Sequence, residues 1–185
     1  KPPDSAGRRG KMSGRSTDSS EPQLTDTAGG GSSSCRGSKR SADPFNLTRF
    51  TDEQKTCHAH ALAEIKAGRK STCWSWYVLP TPPFLVKGKP VGSGTNRYYA
   101  LATDEETAAY LQFERDGVNL RKNYIEVMLA ICDQLDSGIT PLRLLGMDCK
   151  RLAASVAYFE RVSIDDGELH GVCARVNALM KSSGK

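Results

Sequence analysis

Arg69, Lys70, Trp74, Trp76 and Tyr77 put two cations and three aromatic rings into one short stretch. A guanidinium or ammonium beside a flat π face suits a phosphate joined to a base or sugar: the cation holds the anion and the ring stacks on the rest. This basic-aromatic face is the candidate ligand-binding surface. Asp148 and Lys150, from a later segment, are added to it, Asp148 as an acid or base and Lys150 as a further cation. A structural reading competes at each position. Two tryptophans so close together in a small domain usually pack inside, the basic pair then being solvated, and an Asp before a helix is a ready N-cap.

Other chemistry-bearing residues carry less. Cys57, His58 and His60 are close in sequence, but on a helix the two imidazoles point about 200° apart and cannot ligate one ion. His58 falls on an apolar stripe, where it reads as a hydrogen-bonded core histidine, so no metal is expected. Cys73 follows Arg69 and Lys70, which favour a thiolate, yet no base or orienting group is evident beside it. Gly92-x-Gly94 lacks the preceding strand, third glycine and following helix of a dinucleotide loop. No carboxylates are paired at a spacing that suggests hydrolysis, and no cofactor is expected.

The charge of +5 is unevenly placed. Residues 1–43 hold eight basic and five acidic side chains, leaving eighteen and sixteen for the rest. The folded part is nearly balanced and shows no basic stripe, which argues against a nucleic-acid partner. No apolar run approaches the ~18 residues of a membrane span. The six cysteines form no CxxC pair. They read as reduced thiols in a cytoplasmic or nuclear compartment. The chain opens on Lys1, so a targeting segment is not assessable from it.

The elements that position these residues follow from composition and periodicity. Residues 1–43 are rich in Ser, Gly and Arg, with Met12 and Leu24 as their large apolar residues, and are expected to be a disordered tail. The domain is expected over residues 44–181. Thr51-Asp52-Glu53-Gln54 has the capping-box pattern, predicting a helix from Asp52 to Ala67 that stops at Gly68 and buries His58, Ala61, Leu62 and Ile65. Thr103-Asp104-Glu105-Glu106 repeats the pattern and carries Thr107, Tyr110 and Leu111 inward. Val118 to Asp136 has two apolar stripes, one including Leu129, and is expected to be the central helix. Thr140-Pro141 reads as N-cap and N1 of a short helix. Asp148 is expected to cap another, burying Leu152, Ser155, Val156 and Phe159. Leu169, Val172, Cys173, Val176 and Met180 mark a last helix. Trp74 to Leu79 is helix or strand, since six residues do not settle a period. A Gly- and Lys-rich loop is expected to run from there to about Asn96.

The ordered series Phe50-Thr51-Asp52-Glu53-Gln54, Ala61-Leu62-Ala63-Glu64-Ile65, Gly68-Arg69-Lys70-Ser71, Trp74-Ser75-Trp76-Tyr77, Tyr98-Tyr99-Ala100-Leu101, Ala108-Ala109-Tyr110-Leu111 and Gly146-Met147-Asp148-Cys149-Lys150-Arg151-Leu152 resembles the domain of unknown function 1810 family. The resemblance covers about Phe45 to Val162. It implies a compact all-helical fold, which favours helix over Trp74 to Leu79, and implies no known activity. The chain departs from the family pattern in several places. Thr72-Cys73 stands where Ser-His is usual before the first Trp, Pro80-Thr81 leads into a longer loop, and Ala154-Ser155-Val156-Ala157-Tyr158-Phe159 is a reduced form of a Ser/Thr-rich motif.

The fold expected is therefore all-α: a single bundle of about five to seven helices around the Val118 to Asp136 helix, behind a disordered N-terminal tail. The function expected is a non-catalytic binding or interaction module whose basic-aromatic face takes an anionic small molecule or a protein partner. The alternative is an enzyme acting on a small phosphorylated or nucleotide-like substrate, with Asp148 as acid or base.

Overall fold

In the computed structural model, which describes residues 43–183, the first helix starts from a carboxylate and not from the expected hydroxyl. Asp43 accepts hydrogen bonds from the backbone N–H groups of Leu47 (2.7 Å) and Thr48 (2.8 Å) and from the Thr48 hydroxyl (2.6 Å). Helix α1 accordingly spans Thr48–Lys66. Thr51 lies inside its first turn and donates to the Thr48 carbonyl at 3.1 Å, so it caps nothing. The disordered tail expected over residues 1–43 lies, apart from Asp43, outside the described residues, and so does Cys35.

Seven further α-helices follow: α2 (Ser75–Val78), α3 (Gly94–Tyr98), α4 (Asp104–Gln112), α5 (Leu120–Asp136), α6 (Pro141–Leu145), α7 (Cys149–Val162) and α8 (Gly167–Ser182), with a 3-10 turn at Gly146–Asp148 between α6 and α7. Five of these eight helices have nine residues or more. The others are single turns between them. The chain is mostly helical, as its periodicity required. Three N-caps fall where turn chemistry placed them or its logic would: Thr103 accepts from Glu106 N, Thr140 from Arg143 N ahead of Pro141, and Asp166 from Leu169 N.

The region expected to be a loop holds a small hairpin, β1 (Leu85–Val86) with β2 (Lys89–Pro90), and then α3. A second hairpin, β3 (Glu114–Arg115) with β4 (Val118–Asn119), separates α4 from α5 and takes Val118 out of the expected helix. These two-residue strands leave too little pattern in sequence for a period to register.

Helix α5 is central, packing against α1, α2, α4 and α8, while α7 lies on α8. Tyr124, Val127, Met128, Ile131, Cys132 and Leu135 are buried along it, and both its apolar stripes are used. Leu129 is the exception, exposed beside Gly171 of α8, which has no side chain to cover it. Aromatic pairs lock the layers: Tyr124 and Phe159 lie 4.3 Å apart between centroids, and Phe50 meets Tyr110 edge-on at 5.0 Å. A buried ion pair, Arg49 to Glu106 at 2.6 Å, joins the N-terminal ends of α1 and α4. Among the described residues no helix is long and apolar enough to cross a membrane.

Candidate functional site

The end of α1 decides where the basic residues point. Gly68 takes φ +77°, its N–H bonds the Ile65 carbonyl (2.8 Å), and Arg69 N–H bonds the Glu64 carbonyl (3.1 Å). This pairing is the Schellman motif that Gly allows without Cβ strain. It turns the chain out of the helix just before Arg69. Lys70 N–H then donates to the Leu144 carbonyl at 2.7 Å, fastening the loop to α6.

One buried carboxylate organises the rest of that loop. Glu64 is 7% exposed. It accepts from Ser71 N (2.8 Å), Ser71 Oγ (2.7 Å), Thr72 N (3.2 Å), Thr72 Oγ1 (2.7 Å) and Trp74 Nε1 (2.8 Å). His60 Nε2 approaches it from the surface at 3.0 Å. Burial pushes the Glu64 carboxyl up, but the hydrogen bonds from Ser71, Trp74 and Thr72 outweigh that and hold it well below the usual carboxylate range. Sequence reasoning gave Glu64 no role. A signal was present, because an acid in the last turn of a helix opposes the helix dipole and calls for a local reason.

The structure redistributes the proposed face. Trp74 is 1% exposed and its indole N–H is committed to Glu64, so neither ring face is open for a ligand to stack on; this corrects the stacking role expected for it. Lys70 Nζ sits 5.3 Å from the Trp74 ring centroid and 2.7 Å from Asp148 Oδ2. The cation–π geometry read from the sequence therefore exists, but inside the protein. Asp148 does not cap α7: its side chain makes no cap bond, and Oδ2 accepts from Ser75 Oγ at 2.9 Å as well as from Lys70. The carboxylate bridges α2 to the 68–74 loop because those donors reach it first.

Trp76 is half-buried against the core. Tyr77 turns elsewhere, its hydroxyl donating to the Cys73 carbonyl at 2.7 Å and its ring packing on Tyr99 at 5.4 Å. Burial, with the neighbouring Cys57 and Glu53, pushes its phenol up to about 12. Lys150 is exposed on the first turn of α7. Arg151, next to it, is buried, and its guanidinium donates to the Asn96 side chain. The two imidazoles read as pointing apart do so: His58 Nε2 is 3.0 Å from Glu126, on α5, and His60 turns to Glu64. Among the described residues no group of three or more His, Cys, Asp or Glu side chains is placed to hold a metal.

A cleft of about 620 Å³ does open between the 67–73 loop and α6. Arg69, Lys70, Ser71 and Thr72 line one side, and Arg143 and Leu145 the other. The volume falls in the range of small-molecule sites, roughly 300–1,000 Å³. Arg143 was not picked out from the sequence, because α6 reaches the loop only through the fold. Among the described residues neither Arg69 nor Arg143 forms an ion pair, whereas Lys70 is matched by Asp148. The arrangement can hold an anion by two guanidiniums, with Leu145 as apolar floor; the Ser71 and Thr72 hydroxyl protons are already committed to Glu64.

The crystal structure of the conserved hypothetical protein Rv1873 from Mycobacterium tuberculosis is similar to this chain, with a TM-score of 0.63 and 25% sequence identity, over 77% of this chain and 92% of that one. No curated protein matches the chain. The family model described as Protein of unknown function (DUF1810) matches residues 44–179. With the sequence motifs in order and the family model matching most of the chain, from ahead of α1 into α8, the chain belongs to the DUF1810 family.

Proposed function

We propose that the domain is a non-catalytic binding module whose cleft between the 67–73 loop and α6 takes a small anionic ligand, a phosphate or carboxylate compound. The observation that carries this reading is the pair Arg69 and Arg143, which face one 620 Å³ cleft without a protein carboxylate to satisfy them among the described residues. Ser71 and Thr72 spend their donors on Glu64, so the loop is held before any ligand arrives, which lowers the ordering cost of binding. With Trp74 buried, the ligand's non-ionic part rests on aliphatic side chains and not between indoles.

Asp148, paired with Lys70 and Ser75, is not among the residues that line the cleft, and this supports binding over catalysis by that carboxylate. A cytoplasmic or nuclear location fits the five described cysteines, which are all free thiols. The test is a thermal-shift panel of inorganic phosphate, nucleotides and acidic metabolites against the full chain. A ligand present at about 100 times its Kd adds roughly 2.7 kcal/mol of stability. That gain should vanish in Arg69→Ala/Arg143→Ala. A panel that never shifts the parent, or shifts the double variant equally, refutes the proposal.

A further inference from the structure

The β1–β2 hairpin lies outside the anion cleft and carries features of its own. Its Lys87-Gly88 turn has φ +51° and +74°, the type I′ pattern that fits a two-residue hairpin. Val86 faces Lys89 and Leu85 faces Pro90. Val91 N–H continues the ladder to the Phe84 carbonyl at 2.7 Å. Pro90 thus sits where its missing N–H costs no ladder bond, but it and Pro83 leave the outer edges short of donors. A third strand adds poorly to such edges.

What the hairpin offers is side chains. Phe84, Leu85, Val86, Val91 and Tyr98 are all exposed, Leu85 and Val86 by more than half (59% and 57%). Single exposed apolar residues need no explanation, but strand alternation puts Phe84, Val86 and Val91 on one face of the hairpin as a patch, with Leu85 on the other face. Beside them is a cleft of about 220 Å³ lined by Pro83, Phe84, Pro90, Val91, Asn96 and Arg97. It is smaller than the roughly 300 Å³ at which whole-ligand sites begin, and of a size for one side chain.

Charge identifies the occupant. From Leu79 to Thr103 the chain carries Lys87, Lys89 and Arg97 and no Asp or Glu. None of the three forms an ion pair among the described residues. A second copy of this chain would bring like charges against them, so self-association through the patch is opposed.

We propose that the hairpin is a docking surface for a short acidic segment of another protein, which seats one apolar side chain in the 220 Å³ cleft and sets its flanking carboxylates on Lys87, Lys89 and Arg97. A planar anionic membrane shares the charge but cannot fill a re-entrant cleft, so the peptide is the better match. The residues do not overlap those of the anion cleft, and the two readings stand or fall separately.

The test pans the full-length chain against a random-sequence phage-displayed peptide library and measures the selected peptides by titration. Enriched peptides should place an apolar residue beside Asp or Glu, and their binding should weaken with salt. Affinity should drop about tenfold or more in Val91→Glu and in Lys87→Glu/Lys89→Glu. These are exposed positions, so thermal melts should match the parent. No enrichment, peptides without acidic residues, or undiminished binding by both variants would overturn the proposal. So would sedimentation with phosphatidylserine–phosphatidylcholine vesicles that those variants abolish while peptide binding is untouched.

Discussion

Removing the Glu64 carboxylate should loosen the loop that presents Arg69, and the structure sets the size of the effect. Glu64 receives five hydrogen bonds from Ser71, Thr72 and Trp74. A bond to an ionised group contributes about 1.5–3 kcal/mol, but these contributions do not simply add. Ser71 and Thr72 are exposed and regain water when the carboxylate goes. Trp74 Nε1 cannot, since its ring is 1% exposed. A stranded buried donor costs about 1–3 kcal/mol. With the loss of loop order, Glu64→Ala should cost about 3–5 kcal/mol, as breaking a buried network does. Against a total stability of roughly 5–15 kcal/mol, the melting temperature should fall by about 10–15 °C. Glu64→Gln keeps one acceptor oxygen and should cost about 2 kcal/mol. The pH dependence has a definite sign. The folded carboxyl titrates below its ordinary value of 4.5, so its contribution is whole above pH 4.5 and is lost as pH falls below it. Glu64→Gln should lack that part of the acid loss. Thermal melts of parent and variants at neutral and acid pH measure both effects. A Glu64→Ala protein that melts with the parent, or a Glu64→Gln protein with the parent's full acid sensitivity, would refute the network account.

Two more perturbations probe the same framework. Gly68→Ala should destabilise by about 1–3 kcal/mol in urea or thermal melts, because its Cβ would lie 2.7 Å from Ile139 Cδ1 and φ is +77°. Thiol labelling of the native chain at mildly alkaline pH should modify exposed Cys73 fast and leave Cys132 and Cys173 unmodified. Burial and the nearby Glu160 push the Cys173 thiol up to about 12, so its thiolate is scarce even where reagent enters. Cys73→Ser should therefore delete a fast phase in a stopped-flow titration with an aromatic disulfide.

The helical framework was legible in the chain. Apolar residues recurring every three to four positions must be buried on one side of a helix, whatever the neighbours are, so α4, α5, α7 and α8 were readable one by one. Caps are similarly local where Thr precedes the first turn, as at Thr103 and Thr140. They failed where a more distant donor or acceptor competed. Asp43 took over the start of α1, and Lys70 with Ser75 drew Asp148 away from α7.

The candidate site followed the same division. That Arg69, Lys70 and the aromatics stand close together was determined by sequence alone, since they share one loop and one helical turn. Which of them meets solvent was decided only by tertiary structure. A tryptophan's exposure depends on what packs over it, and here a carboxylate from the preceding helix pulls the indole inward. Arg143 joins Arg69 across a cleft because α6 docks on that loop through a single backbone bond, Lys70 to Leu144. Composition and periodicity describe each element's own needs. Long-range partners are set by how the elements fill space together, and no local pattern records that.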